Sequence, residues 1–150
     1  MPNWTRNSLT VEGNKDELRK MIDSVQNGDN PFSLEKIVTE PDWKNTPNSD
    51  GELPTYDNPN TLDECLRWSD GKQDMRWYDW RSKLWGTKWD TCETEVTNDS
   101  DTVWQVDFLT AWSDPRPAIE ALARKHPTLT FAVYAEHECG SDPSDYTFNR

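Results

Sequence analysis

The order of apolar patterns along the chain predicts an α+β sandwich, with helices on one face of a mostly antiparallel sheet. Three observations predict it. A strand–helix–strand run occupies the first 38 residues, and a second one spans 103–137. Nine Trp, four Tyr and four Phe supply core material to a chain that is only 33% hydrophobic, and that is too aromatic for a disordered chain. At 150 residues the chain fits one domain and can bury a core. The reading is a single domain, 1–150, with an insertion at about 39–90.

Trp4 to Val11 reads as a strand, with Leu9 and Val11 on one face and Ser8 and Thr10 on the other. Asn14 with Glu17 has the spacing of a capping box. Leu18, Met21, Ile22 and Val25 then follow a helical period, which predicts a helix over 15–27 ended by Asn27-Gly28. Phe32 to Val38 reads as a strand with a bulge where Ile37 breaks the alternation. Pro41, Pro47, Pro54 and Pro59 mark a long surface excursion over 39–60. Thr61 and Glu64 form a second capping-box pattern ahead of Leu62, Cys65 and Leu66, closed at Asp70-Gly71.

Asp74 is placed to cap a helix carrying Trp77, Trp80 and Leu84 on one face, with Gly86 as its left-handed terminator. Thr91 to Val96 alternates as a strand, and Asn98 to Asp101 is a turn. Val103 to Leu109 is a strand with Trp104, Val106 and Phe108 inward. Ser113 or Asp114 is expected to cap the next helix, with Pro115 in its first turn, a buried stripe of Ile119, Leu122 and Ala123, and Pro127 as its stop. Leu129, Phe131, Val133 and Ala135 line one face of the last strand. The polar tail from Glu138 to Arg150 is expected to fray.

Met1-Pro2-Asn3-Trp4 with Asn7, Leu9-Thr10-Val11 and Gly13; Phe32 to Val38; Trp77-Tyr78-x-Trp80; Trp85-Gly86-Thr87-Lys88-Trp89-Asp90; and Phe108 to Pro115 together form a motif set. It resembles that of the YubB/Api-like family of phage and plasmid proteins. The matches run from residue 1 to about 138 and are poor over 40–73 and in the last dozen residues. Leu84 stands where the family pattern has a polar Asn. The resemblance implies a ferredoxin-like domain and a phage or plasmid context, and no general activity. Joined to the two strand–helix–strand units, it makes the expected fold a ferredoxin-like split βαβ sandwich with an inserted loop and helical segment. In the strand order 4-1-3-2, a strand at 91–96 has to compete for a partner or pair beyond the end of strand 32–38.

The net charge of −12 and pI near 4.5 oppose general binding to nucleic acid or to an anionic membrane. An acidic surface suits a basic protein partner, DNA mimicry, or solubility alone. Cys65, Cys92 and Cys139 make no disulfide framework. No run approaches the roughly 18 apolar residues of a membrane helix, and the first residues lack an export signal, so a reducing cytoplasm is expected, that of the host if the chain is phage-encoded.

The most aromatic stretch is also the least acidic. Residues 72–90 carry five basic against three acidic residues, net +2 in a chain of −12. Arg76, Trp77, Trp80, Arg81, Lys83, Lys88 and Trp89 are the candidate binding residues, through base stacking and phosphate contacts or as Trp and Arg anchors for a protein. The competing reading is that the tryptophans pack this helix onto the domain under Arg and Lys stems. His126, His137, Cys92, Cys139 and Glu138 lack metal-ligand spacing, so neither metal nor cofactor is expected. No nucleophile, phosphate-loop or metallohydrolase motif occurs, so no catalytic residue is assigned. The expected function is a non-enzymatic phage- or plasmid-type accessory protein that binds a host or defence protein, basic in character, through its acidic surface, with DNA mimicry as a special case. Single-stranded nucleic-acid binding by the 76–90 patch is the alternative, and an enzyme with an unrecognised site is the third.

Overall fold

The computed structural model describes residues 3–150. Five strands form one sheet: β1 (Trp4–Glu12), β2 (Cys92–Asp99), β3 (Val103–Ala111), β4 (Thr130–His137) and β5 (Ser144–Phe148). Their order is β2-β3-β1-β4-β5, and every neighbouring pair is antiparallel. The helices are α1 (Lys15–Ser24), α2 (Arg76–Leu84) and α3 (Arg116–Lys125). The first four strands have the 4-1-3-2 order of a ferredoxin-like split βαβ fold. β3 lies between β1 and β2, and β1 lies between β3 and β4.

The inward faces follow the sequence periods. Leu18, Met21 and Ile22 from α1, Val25 just after it, and Ala118, Ile119, Leu122 and Ala123 from α3 join Leu9, Val11, Trp104, Val106, Phe108, Phe131, Val133 and Ala135 in one buried cluster. Both helices therefore cover the same face of the sheet, and the other face stays open. The Asn14 side chain accepts from the Asp16 and Glu17 amides and starts α1. The helix stops at Ser24, three residues short of the expected end, where the Ser24 hydroxyl donates back to the Met21 carbonyl at 2.7 Å.

Residues 32–38 are not a strand. Leu34–Lys36 is a single 3₁₀ turn, with the Ile37 amide bonded to the Leu34 carbonyl at 3.0 Å. The step from Leu34 to Ile37 that looked like a bulge is this turn. Its free amides go to Asp90, whose carboxylate accepts from the Ser33 hydroxyl (2.6 Å) and the Leu34 amide (2.7 Å). The place of the second strand falls to β2, which removes the conflict over residues 91–96. The excursion thus begins directly after α1 and ends at β2.

Three further expectations change. Thr61 and Glu64 do not open a helix; Asp63–Cys65 is a 3₁₀ turn without a side-chain cap, and Glu64 turns to Arg81. Neither Ser113 nor Asp114 caps α3, because Ser113 donates to the Gly86 carbonyl and Asp114 accepts from Ser144 and Tyr146. The C-terminal residues do not fray: β5 pairs with β4, and Tyr146 and Phe148 pack against the main core. The Tyr146 hydroxyl donates to Asp114 at 2.7 Å, and Arg116 lies over both rings. Burial, then the bond to Asp114, pushes the Tyr146 phenol well above its ordinary value.

Candidate functional site

The stretch 76–90 ties the excursion to the sheet. Asp74 accepts from the Arg76 amide at 3.1 Å in the turn ahead of α2, but it is not the expected cap: Met75 holds the N-cap position, with no side-chain cap. Arg76 pairs with the buried Asp74 carboxylate at 3.0 Å and lies between the rings of Trp43 and Trp68, at 5.0 and 4.8 Å. Trp77 is buried with Trp43 and Leu66 in a second, smaller core, and half-buried Trp80 bridges the two cores. Arg81, only 8% exposed, sits between Trp77 and Trp85. It holds Glu40 at 2.8 Å and Glu64 at 2.6 Å. Burial opposes its charge, but the bonds to Glu40 and Glu64 outweigh that and raise the guanidinium above its ordinary value.

The helix ends at Gly86, φ 86°, whose amide bonds the Arg81 carbonyl at 2.9 Å. A Cβ here would also land on the Pro117 ring. Trp85 donates to the Val38 carbonyl at 2.9 Å, and buried Thr87 donates to the Ala111 carbonyl at 2.6 Å. Lys88 lies 4.9 Å over the Trp89 ring, and Trp89 packs on Trp4. Of the seven sequence-selected residues, Lys83 alone is exposed; Arg76, Trp80, Lys88 and Trp89 are partly covered, and Trp77 and Arg81 are buried. They do not form one continuous exposed patch.

The surface that the fold leaves bare is the open face of the sheet. A shallow cavity of about 340 Å³ there is lined by Glu93, Glu95, Asp107, Glu136, Arg6, Ser8, Leu109 and Tyr134, with backbone neighbours. Four carboxylates face one guanidinium. At the end of the sheet near Trp4, exposed Trp112 stands at φ 74°, its amide bonded to the Asn3 carbonyl. Sequence reading missed the groove because its acids come from three strands. The one available signal was the polar, acidic outward row of each strand.

The His137 side chain is largely covered. Its Nδ1 meets the Thr5 hydroxyl at 3.0 Å and its Nε2 meets the Ser144 hydroxyl at 3.1 Å. Asp114 holds that same serine at 3.0 Å and lies 3.8 Å from the imidazole. A hydrolytic triad needs the carboxylate on the histidine nitrogen opposite the nucleophile, and here the acid bonds the serine instead. Cys65, Cys92 and Cys139 are free thiols. Among the described residues no three His, Cys, Asp or Glu side chains converge as metal ligands, and no helix is long and apolar enough to cross a membrane.

Residues 85–143 match a family described as the ferredoxin-like domain in Api92-like protein. The match supports likeness to an Api-like ferredoxin-like family. It covers β2, β3, α3, β4 and the Trp85–Asp90 motif, less than half of the chain. No curated protein and no solved structure matches the chain.

Proposed function

We propose that this protein is a binding module that captures a basic partner protein on its acidic exterior. One observation carries the reading. The open sheet face presents Glu93, Glu95, Asp107 and Glu136 against Arg6 alone. With a chain charge of −12, this field attracts cationic partners and repels phosphates. The tryptophans and arginines that favoured nucleic acid are largely engaged inside the fold: Arg76 and Arg81 both lie between indole rings and pair with carboxylates. The phage- or plasmid-type role, with a host or defence protein as partner in the cytoplasm, belongs to the same proposal; the match over 85–143 supports the ferredoxin-like domain alone.

The test is a pair of titrations at low salt, one with polylysine and one with labelled single-stranded RNA and DNA. Polylysine is expected to bind and to weaken steeply as salt rises, because screening shortens the reach of exposed charge. Micromolar nucleic-acid binding lost in a folded Trp89→Ala or Lys88→Ala variant would transfer the function to the partly covered end of the aromatic stretch.

A further inference from the structure

The strand register sets one row of side chains across the open face. Glu95 lies opposite Asp107, Asp107 opposite Ser8, Ser8 opposite Tyr134, and Tyr134 opposite Asp145. Like charges directly opposite on neighbouring strands are destabilising, and nothing in the row relieves Glu95 and Asp107. Arg6 is one row away, opposite Leu109 and Glu136. It makes no salt bridge among the described residues. Asp107 Oδ1 is shut off from solvent without a hydrogen-bond partner, which is a costly state for a carboxylate oxygen.

The edge strand adds a second feature. The register shifts by an extra residue between Cys92 and Glu95, and Glu93 there has φ 48°, a conformation that non-glycine residues adopt at a cost. Bulges of this kind re-aim side chains, and Glu93 joins the same groove as Glu95. With Glu95 opposite Asp107, Glu93 and Glu136 beside them and Arg6 the one basic side chain in the groove, the open face carries a surplus of negative charge that a cation from outside would offset.

Resting on the basic-partner reading above, we propose that this groove docks an arginine side chain from a basic segment of the partner, its guanidinium between Asp107 and Glu95. A metal ion fits poorly, because no three acidic, His or Cys ligands converge among the described residues. A guanidinium carries five donors in a flat fork, so it can serve separated carboxylates at once. Arg6 is then the internal competitor for the same acids.

The experiment is titration of the full chain with hexa-arginine and with hexalysine. Asp107→Asn should weaken hexa-arginine about tenfold, as loss of one partner in a close charge pair does, while keeping or raising the melting midpoint because the cross-strand repulsion is gone. Arg6→Ala should tighten binding. Asp16→Asn and Asp23→Asn, which remove the same charge from exposed positions on or beside α1 under the covered face, should each leave it nearly unchanged. If Asp107→Asn and the α1 variants weaken binding equally, the groove is not the site and the diffuse acidic reading survives. Equal binding of hexalysine and hexa-arginine would overturn the guanidinium preference. Absence of hexa-arginine binding to the wild-type chain at low salt would overturn the basic-partner reading itself.

Discussion

Beneath the sheet, Leu9, Leu18, Ile119, Leu122, Phe131 and Val133 form a continuous apolar cluster. Between α2 and the chain at 40–68 the packing is of another kind. There Trp43, Leu66 and Trp77 make only a small apolar group, and Arg76 and Arg81 fill the spaces between indole rings while holding Asp74, Glu40 and Glu64. The first core draws on removal of apolar surface from water. The second is too small for that alone and uses paired charge and cation–π contact. Such a core is unforgiving in a particular way, since deleting one partner leaves the other charge buried. The comparison also explains how a chain only 33% hydrophobic keeps an excursion of this length ordered.

The largest expected effect belongs to the apolar core. Phe131→Ala should cost about 3–5 kcal/mol, and tryptophan fluorescence and far-UV dichroism should lose their structure together in denaturant. Separate transitions would show that the two cores unfold independently. Next comes Arg81→Met, expected to cost about 3 kcal/mol by stranding Glu40 and Glu64. Adding Glu40→Gln should restore part of this, and a double variant no more stable than the single one would remove Glu40 as the stranded charge.

Gly86→Val tests the junction between the two cores. Its left-handed backbone and the Pro117 ring both oppose a side chain, so a loss of about 1–3 kcal/mol is expected. An unchanged melting midpoint would mean that α2 can end another way. The smallest effect concerns His126. Burial pushes its imidazole below the ordinary 6.5. The unfolded chain therefore binds a proton that the folded chain does not, and stability falls as pH drops through 6.5 toward the lower folded value. His126→Gln should flatten the stability profile in that window only, as read from urea midpoints across pH 5–8.

Much of the sandwich was legible because its signals are local. The period of Leu18, Met21 and Ile22 marks α1, and alternation at Trp104, Val106 and Phe108 marks β3; all six side chains are buried. Gly86 was legible for the same reason, as a left-handed residue after a helical run. Phe32 to Val38 misled because two apolar residues two apart fit a strand and a turn equally well, and only Asp90, distant in sequence, selects the turn. β5 was hidden because Tyr146 and Phe148 stand in a polar tail, and their burial depends on Asp114 and Arg116 arriving from elsewhere.

By itself, then, the sequence determined the main elements, their inward faces and the acidic field, since each depends on neighbours a few residues apart or on a simple sum of charge. Tertiary structure alone decided the fate of the aromatic stretch. Arg81 meets Glu40, 41 residues earlier, and Glu64, 17 residues earlier, and no pattern within a helix announces such partners. It alone also assembled the open groove, where β1, β2, β3 and β4 contribute two or three residues each. Strand register makes neighbours of residues such as Glu95 and Asp107, and register follows from how two faces pack, which no single strand contains.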